Sequence, residues 1–176
     1  MIRRTDLKKV LRNYLILLPI SGLIVFADQV TKDIIRTKLA YGEIWSPWNW
    51  LTPYARIVHW FNTGVAFGLF QDKGMFFTIL AVVIAIAILF YYPRLTEREW
   101  LLRIALAMQF GGAVGNLIDR LVVGHVTDFI SVGNFPVFNI ADACITVGVG
   151  IMILSLWLDD KNEKLQSNVT LPTEKK

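Results

Sequence analysis

The chain has 176 residues, of which 55% are hydrophobic and 18% charged, against about 25% charged in ordinary soluble domains. That is more apolar surface than one core of this size can hide, so a soluble domain is excluded and a membrane is the expected solvent. The formal net charge of +4 calls for no nucleic acid, because its basic residues cluster where membrane orientation would place them.

The first residues carry Arg3, Arg4, Lys8, Lys9 and Arg12. The first expected span follows, "NYLILLPISGLIVFADQVTK" (Asn13–Lys32), with Pro19 inside it and Asp28 and Lys32 near its end. It has the basic start of a secretory signal, but "SGLIVFADQ" offers no clear small-x-small cleavage site. Its removal would also leave an odd number of spans, so it is expected to be retained. Residues 33–74 form an irregular loop, in which Pro47 and Pro53 prevent one long helix. "ARIVHWFN" alternates loosely, as a strand of a small sheet on the membrane surface would. Trp45, Trp48, Trp50 and Trp60 read as an interfacial aromatic belt, with stacking on a substrate as the alternative. His59 reads as an interfacial side chain.

The second span, Met75–Tyr92, has no charge and is long enough to cross a hydrocarbon core of about 30 Å as a helix. The third, Leu101–Val123, has Arg103 near one end and Asp119–Arg120 near the other. Within it Gly111 and Gly115 make a small-xxx-small pattern, which lets helices approach closely. Residues 124–136 read as a loop, with His125 as a turn residue, and Val137–Leu158 as the fourth span. Residues 1–158 thus make one four-span domain, and residues 159–176 a polar tail expected to lack structure. Cys144 stands alone, so no internal disulfide is possible. The basic residues of the N-terminus, of the turn after span two (Arg94, Arg98) and of the tail place both termini in the cytoplasm. The loops 33–74 and 124–136 then face outward.

An ionisable residue in or beside a span is costly, so each is a functional candidate. Asp28, Lys32, Asp119, Arg120, Asp128 and Asp142 qualify. On this topology Asp128 follows the end of span three and Asp142 lies near the start of span four, so both arrive at the outer boundary, as does Asp28. Two carboxylates close together in a dry site cannot both ionise easily and would share a proton. That is the condition for aspartic protease chemistry. The competing reading is that each acid caps a helix or pairs with a base. Asn116 shares a face with Asp119 and Arg120, and the three read as a polar scaffold facing the bundle interior, with Arg120 also able to hold a substrate or lipid oxygen. No "HExxH" or "GxSxG" occurs, so neither metal hydrolysis nor a serine nucleophile is indicated, and no cofactor is called for.

"DQVTK" (Asp28–Lys32), "NTGVAFGL" (Asn62–Leu69), "GNLIDR" (Gly115–Arg120), "VTDFI" (Val126–Ile130) and "FNIAD" (Phe138–Asp142) occur in the order seen in lipoprotein signal peptidases. Over about residues 10–158 the chain resembles that family, signal peptidase II. The resemblance implies four transmembrane helices, a small extracytoplasmic β-cradle and a surface helix. It implies an aspartic endopeptidase of the bacterial inner membrane, cleaving prolipoproteins just before a diacylglyceryl-modified cysteine. Asp128 and Asp142 match its catalytic acids. Asn62, Gly64, Asn116, Asp119, Arg120 and Asn139 match its supporting residues, and Asp28 and Lys32 its more structural first motif. The expected partners are lipid-modified prolipoproteins and membrane lipids, with the enzyme a monomer. Thr127, His125 and Ala143–Cys144 depart from the family pattern. A proton-coupled carrier is the alternative use of membrane aspartates, though it would favour charges near the midplane and broken helices.

Overall fold

The structure, a computed structural model, describes residues 4–62 and 74–169. Four helices, α1 (Arg4–Lys38), α2 (Gly74–Tyr91), α3 (Trp100–Val122) and α4 (Ile140–Val169), are each long and apolar enough to cross a membrane. Three strands, β1 (Ile44–Trp45), β2 (Ala55–Asn62) and β3 (Val126–Val132), form one antiparallel sheet in that order. The protein is therefore a mostly helical, multi-pass membrane protein with a small sheet, as expected.

The helices divide the work unequally. In α3, 56% of the most apolar stretch is buried, against 17% in each other span. It is the central helix, in contact with α1, α2 and α4. The others turn large side chains outward, such as Leu15, Leu23 and Phe26 of α1, Phe76 and Phe90 of α2, and Ile153 of α4. In water such surfaces would be an aggregation hazard; in lipid they are solvated. Glycines let the helices close on α3. A Cβ on Gly111 would lie 2.9 Å from Ser21 Cα of α1, and one on Gly112 would lie 2.5 Å from the Ala141 carbonyl oxygen of α4. The small-residue pattern in "GGAVG" is thus a helix-packing device, with Gly112 facing a different partner from Gly111.

The two ends of the bundle differ in kind. At the α2–α3 turn the interior is apolar, with Leu17, Ile88, Leu95, Leu102 and Leu106 buried together around Tyr92. Arg103 is buried there as well. It donates to the Thr96 and Leu95 carbonyls at 3.0 and 2.6 Å and lies over the Tyr92 ring, so its charge is spent on closing the turn. At the sheet end the interior is polar.

Three local expectations change. The first helix does not stop at Lys32 but runs to Lys38, because the charges that end its apolar run point inward and are paired. Residues 124–136 are not only loop: β3 pairs with β2, with Asp128 opposite Trp60 and Ile57 opposite Ile130. The tail beyond Asp159 is helical to Val169, helped by an i,i+4 pair between Asp160 and Lys164 at 2.7 Å. Within the outer loop, residues 47–54 form successive turns closed by Leu51 N–H to Trp48 and Tyr54 N–H to Leu51, and the expected surface helix is not among the described residues of that loop.

Candidate active site

The polar end is built on one stripe of α1. Asp28, Lys32 and Arg36 are four apart and share a face. Asp28 and Lys32 are fully buried. The Lys32 ammonium donates to Asp28 at 2.8 Å, to Asp119 at 3.1 Å and to Asn116 Oδ1 at 2.9 Å. All three of its protons are thereby used. Asp119, also fully buried, takes further bonds from Arg36 at 3.2 Å, Gln29 at 3.3 Å and the Thr127 backbone N–H at 2.9 Å. Asp28 accepts from the Ala141 N–H at 3.0 Å. A Cβ on residue 115 would lie 2.6 Å from Asp28 Oδ2, so only a glycine leaves that carboxylate its place. Two anions and two cations therefore tie α1 to α3, to β3 and to the start of α4.

That frame fixes the neighbouring amides. Asn116 Oδ1 accepts from Lys32 and from Asn139 Nδ2, which turns its own Nδ2 toward Asp142 Oδ1, 2.7 Å away. Asn139 caps α4: its Oδ1 accepts the Asp142 N–H at 2.9 Å, and its own N–H points back to Asp142 Oδ2 at 3.3 Å. This is a reciprocal capping box, with Asp142 in the role usually given to glutamate. The Asn139 side chain also donates to Asp128 Oδ1 at 2.7 Å, while Asn62 donates to Asp128 Oδ2 at 2.8 Å.

Thirteen residues separate the two acids in sequence. The chain between them folds back on itself: Ile130 and Phe138 exchange backbone bonds of 2.8 and 3.0 Å. That bridge returns Asn139 to the flank of β3 and brings α4 in beside Asp128. Gly124 starts the strand from the other side, with a positive φ of 87° that glycine adopts freely and an N–H bonded to the Asp119 carbonyl.

Asp128 is 1% exposed. Its pKa is raised to about 7, first by desolvation and then by the negative charge of Asp142, against the opposing bonds from Asn62 and Asn139. Around neutral pH the pair can thus hold a single proton. A cavity of about 710 Å³ opens beside it, lined by Phe77, Leu80 and Ile84 of α2, Asn116 and Arg120 of α3, and Asp142 and Thr146 of α4. Arg120 lies within electrostatic reach of both acids.

Asp28, Lys32, Asn62, Asn116, Asp119, Arg120, Asp128, Asn139 and Asp142 are thus brought to one end of the bundle. They are not one group. Asp119 belongs to the buried frame, whereas Arg120 faces the cavity, so the two adjacent residues of the expected scaffold have different surroundings. Gly64 lies outside the described residues. Sequence reasoning misses Gln29, Arg36 and Thr127; Arg36 was within reach as the next step of the four-residue stripe. The Thr127 hydroxyl, a departure from the family pattern, lies 3.3 Å from Arg36 as its acceptor. His59 is buried rather than interfacial and bonds the Leu39 carbonyl at 2.8 Å, tying β2 to the end of α1. His125 packs against the Phe61 ring, and burial lowers its pKa.

The sequence profile of signal peptidase (SPase) II matches residues 20–158. Lipoprotein signal peptidases of Staphylococcus aureus strains JH9 and N315 are each 35% identical over 149 residues, covering 82% of this chain and 90% of theirs. Two bacterial membrane enzymes solved by the in meso method are similar in structure. The one at 2.3 Å has a TM-score of 0.77 and 32% identity, covering 91% of this chain and 94% of its own. The one at 1.9 Å has a TM-score of 0.71 and 34% identity, covering 80% and 91%. Profile, relatives and fold agree over the same four-helix body, and the chain belongs to the signal peptidase II family of membrane proteases.

Proposed function

We propose that this enzyme cleaves the signal peptides of prolipoproteins just before a diacylglyceryl-modified cysteine, with Asp128 and Asp142 as its catalytic pair. The relatives supply the substrate class. The observation that carries the residue assignment is the shared Asn139, which donates to both carboxylates, one through its side chain and one through its backbone. Two acids held on one residue in a poorly hydrated place share a proton. The ionised carboxylate takes a proton from water as the water oxygen bonds to the scissile carbonyl carbon. The protonated one donates to the carbonyl oxygen. Collapse of the tetrahedral intermediate breaks the C–N bond, the departing amine takes up a proton, and the pair is restored. Arg120, on the cavity wall, anchors a substrate carbonyl or a lipid ester oxygen.

The cavity lies between α2 and α4, so substrate arrives sideways from the bilayer. The sheet end faces outward and both termini are cytoplasmic, a reading that the distribution of basic residues supports. The enzyme works as a monomer among membrane lipids. Nothing in the fold or the relatives favours a carrier. The test is a gel-shift assay on a lipid-modified prolipoprotein. Asp128→Asn and Asp142→Asn should each abolish cleavage while the protein stays folded in the membrane. Near-normal turnover by either variant would remove the pair from the mechanism.

A further inference from the structure

Gln109 lies on the wall of the same cavity, seven residues before Asn116 on α3. At a rise of 1.5 Å per residue this puts it about 10 Å along the helix from Asn116, whose amide donates to Asp142, and near the middle of the span. Of the remaining polar groups of the cavity, Asn62, Asn116, Arg120 and Asp142 lie toward the sheet end, and Thr146, one turn further along α4, spends its hydroxyl on the Asp142 carbonyl at 2.8 Å. Gln109 lies deeper than the first four, in a cavity also lined by the apolar Leu80, Ala81 and Ile84.

Its side chain is placed, not loose. A Cβ on Gly148 of α4 would lie 3.0 Å from Gln109 Cγ and 2.9 Å from the Ala105 carbonyl. The absence of a side chain at Gly148 lets α4 close on the aliphatic stem of Gln109. The amide itself has, among the described residues, one hydrogen bond, to the Met152 thioether at 3.9 Å. Sulfur is a weak acceptor. A carboxamide in a hydrocarbon-lined cavity is thereby left with most of its bonding capacity unspent, which is costly unless a ligand uses it.

We propose that Gln109 is a specificity-determining residue whose amide recognises a hydroxyl or similar small polar group in the apolar stretch of the signal peptide. The proposal rests on the peptidase reading above. The distance of about 10 Å corresponds to roughly three residues of extended peptide or seven of helix. The group recognised therefore lies between the third and the seventh residue before the bond that is cut. A hydrogen bond of this kind inside a membrane discriminates by about three- to tenfold.

The experiment uses prolipoproteins carrying threonine or valine, which share a shape, at each position from the third to the seventh. The ratio of kcat/KM for threonine over valine is measured in detergent micelles. Displacement of a labelled signal peptide from the enzyme is measured with the same pairs, so the preference is read independently of cleavage. The expected result is a ratio of about three to ten at one position, falling to near one in Gln109→Leu and in Gln109→Met. The second variant guards against a folding defect peculiar to the first. Ratios near one at every position in the unmodified enzyme would overturn the proposal, as would a preference that survives both substitutions. A preference in binding without any cleavage would support the subsite and count against the peptidase reading alone.

Discussion

At the residue scale, Asn139 and Asp142 cap α4 and, in the proposed reaction, also serve the chemistry, and the two roles can be separated. The capping box accounts for Asp142 without any catalysis. Asp128 has no such excuse: it sits on a strand, 1% exposed, with two amides donating to it and no cation in direct contact among its described bonds. Its raised pKa, about 7, has a testable sign. A carboxyl whose folded pKa lies above its unfolded value contributes stability that is complete below the unfolded value near 3.8 and is lost as pH rises through about 7. Asparagine cannot ionise, so Asp128→Asn should gain thermal stability relative to the parent as pH rises from 5 to 8. Over the same interval kcat/KM of the parent should fall on a limb near pH 7, as the pair loses its one proton. Melting curves and rates across that range check both. Parallel stability profiles for the two proteins would contradict the raised pKa. The pairing of Asp128 with Asp142 is legible in sequence as a shared membrane depth and through the two motifs that resemble the family's. The bridge between Ile130 and Phe138 that brings both acids onto Asn139 has no local signature.

At the element scale, what was legible follows the strength of the periodic signal. The four spans are visible because hydrocarbon demands long apolar runs. β2 is visible because "ARIVHWFN" alternates; β3 is not, because Val126 to Phe129 are all buried and period two is erased. The end of α1 is misread for the opposite reason. Lys32 and Arg36 look like a helix leaving the membrane, yet they point into the frame that holds Asp119. The glycines of α3 are legible as a packing motif, but their partners are not. Gly112 faces the Ala141 carbonyl at 2.5 Å from a would-be Cβ, and backbone cannot swing aside as a side chain tip can. Gly112→Ala should therefore push the first turn of α4 off α3 and disturb the bond from Asn116 to Asp142. The expected result is a loss of at least about tenfold in kcat/KM together with a lower melting temperature, a cost of about 1–3 kcal/mol for overpacking. Gly22 and Gly150, whose surroundings are open, serve as controls. Alanine at 112 with full activity and unchanged melting would mean that α4 adjusts freely, and the close approach would not be needed.

At the scale of the whole molecule, the sheet sits over the polar end as a cover whose parts are held unequally. β2 and β3 are anchored: they pair along most of their length, and His59 ties β2 to the Leu39 carbonyl. Tyr41 stacks on Trp60 and Phe61, with ring centroids 5.4 and 4.5 Å apart, and extends that anchor to the end of α1. Beyond it, β1 is two residues long, and residues 46–54 are held by turn bonds with Trp48 and Trp50 stacked on each other and exposed. A segment with few buried contacts and little sheet pairing opens at low free energy. This segment is therefore the part able to move over a bound peptide, excluding bulk water from the carboxylates while leaving room for the attacking molecule. Hydrogen exchange should show amides 46–54 exchanging fast in the free enzyme and slowing by an order of magnitude or more with a bound peptide inhibitor. Amides of 55–62 and 126–132 should be protected in both states. Equal exchange of residues 46–54 with and without ligand would leave Trp48 and Trp50 as anchors in the membrane interface, and the site would have to exclude water by the depth of the cavity alone.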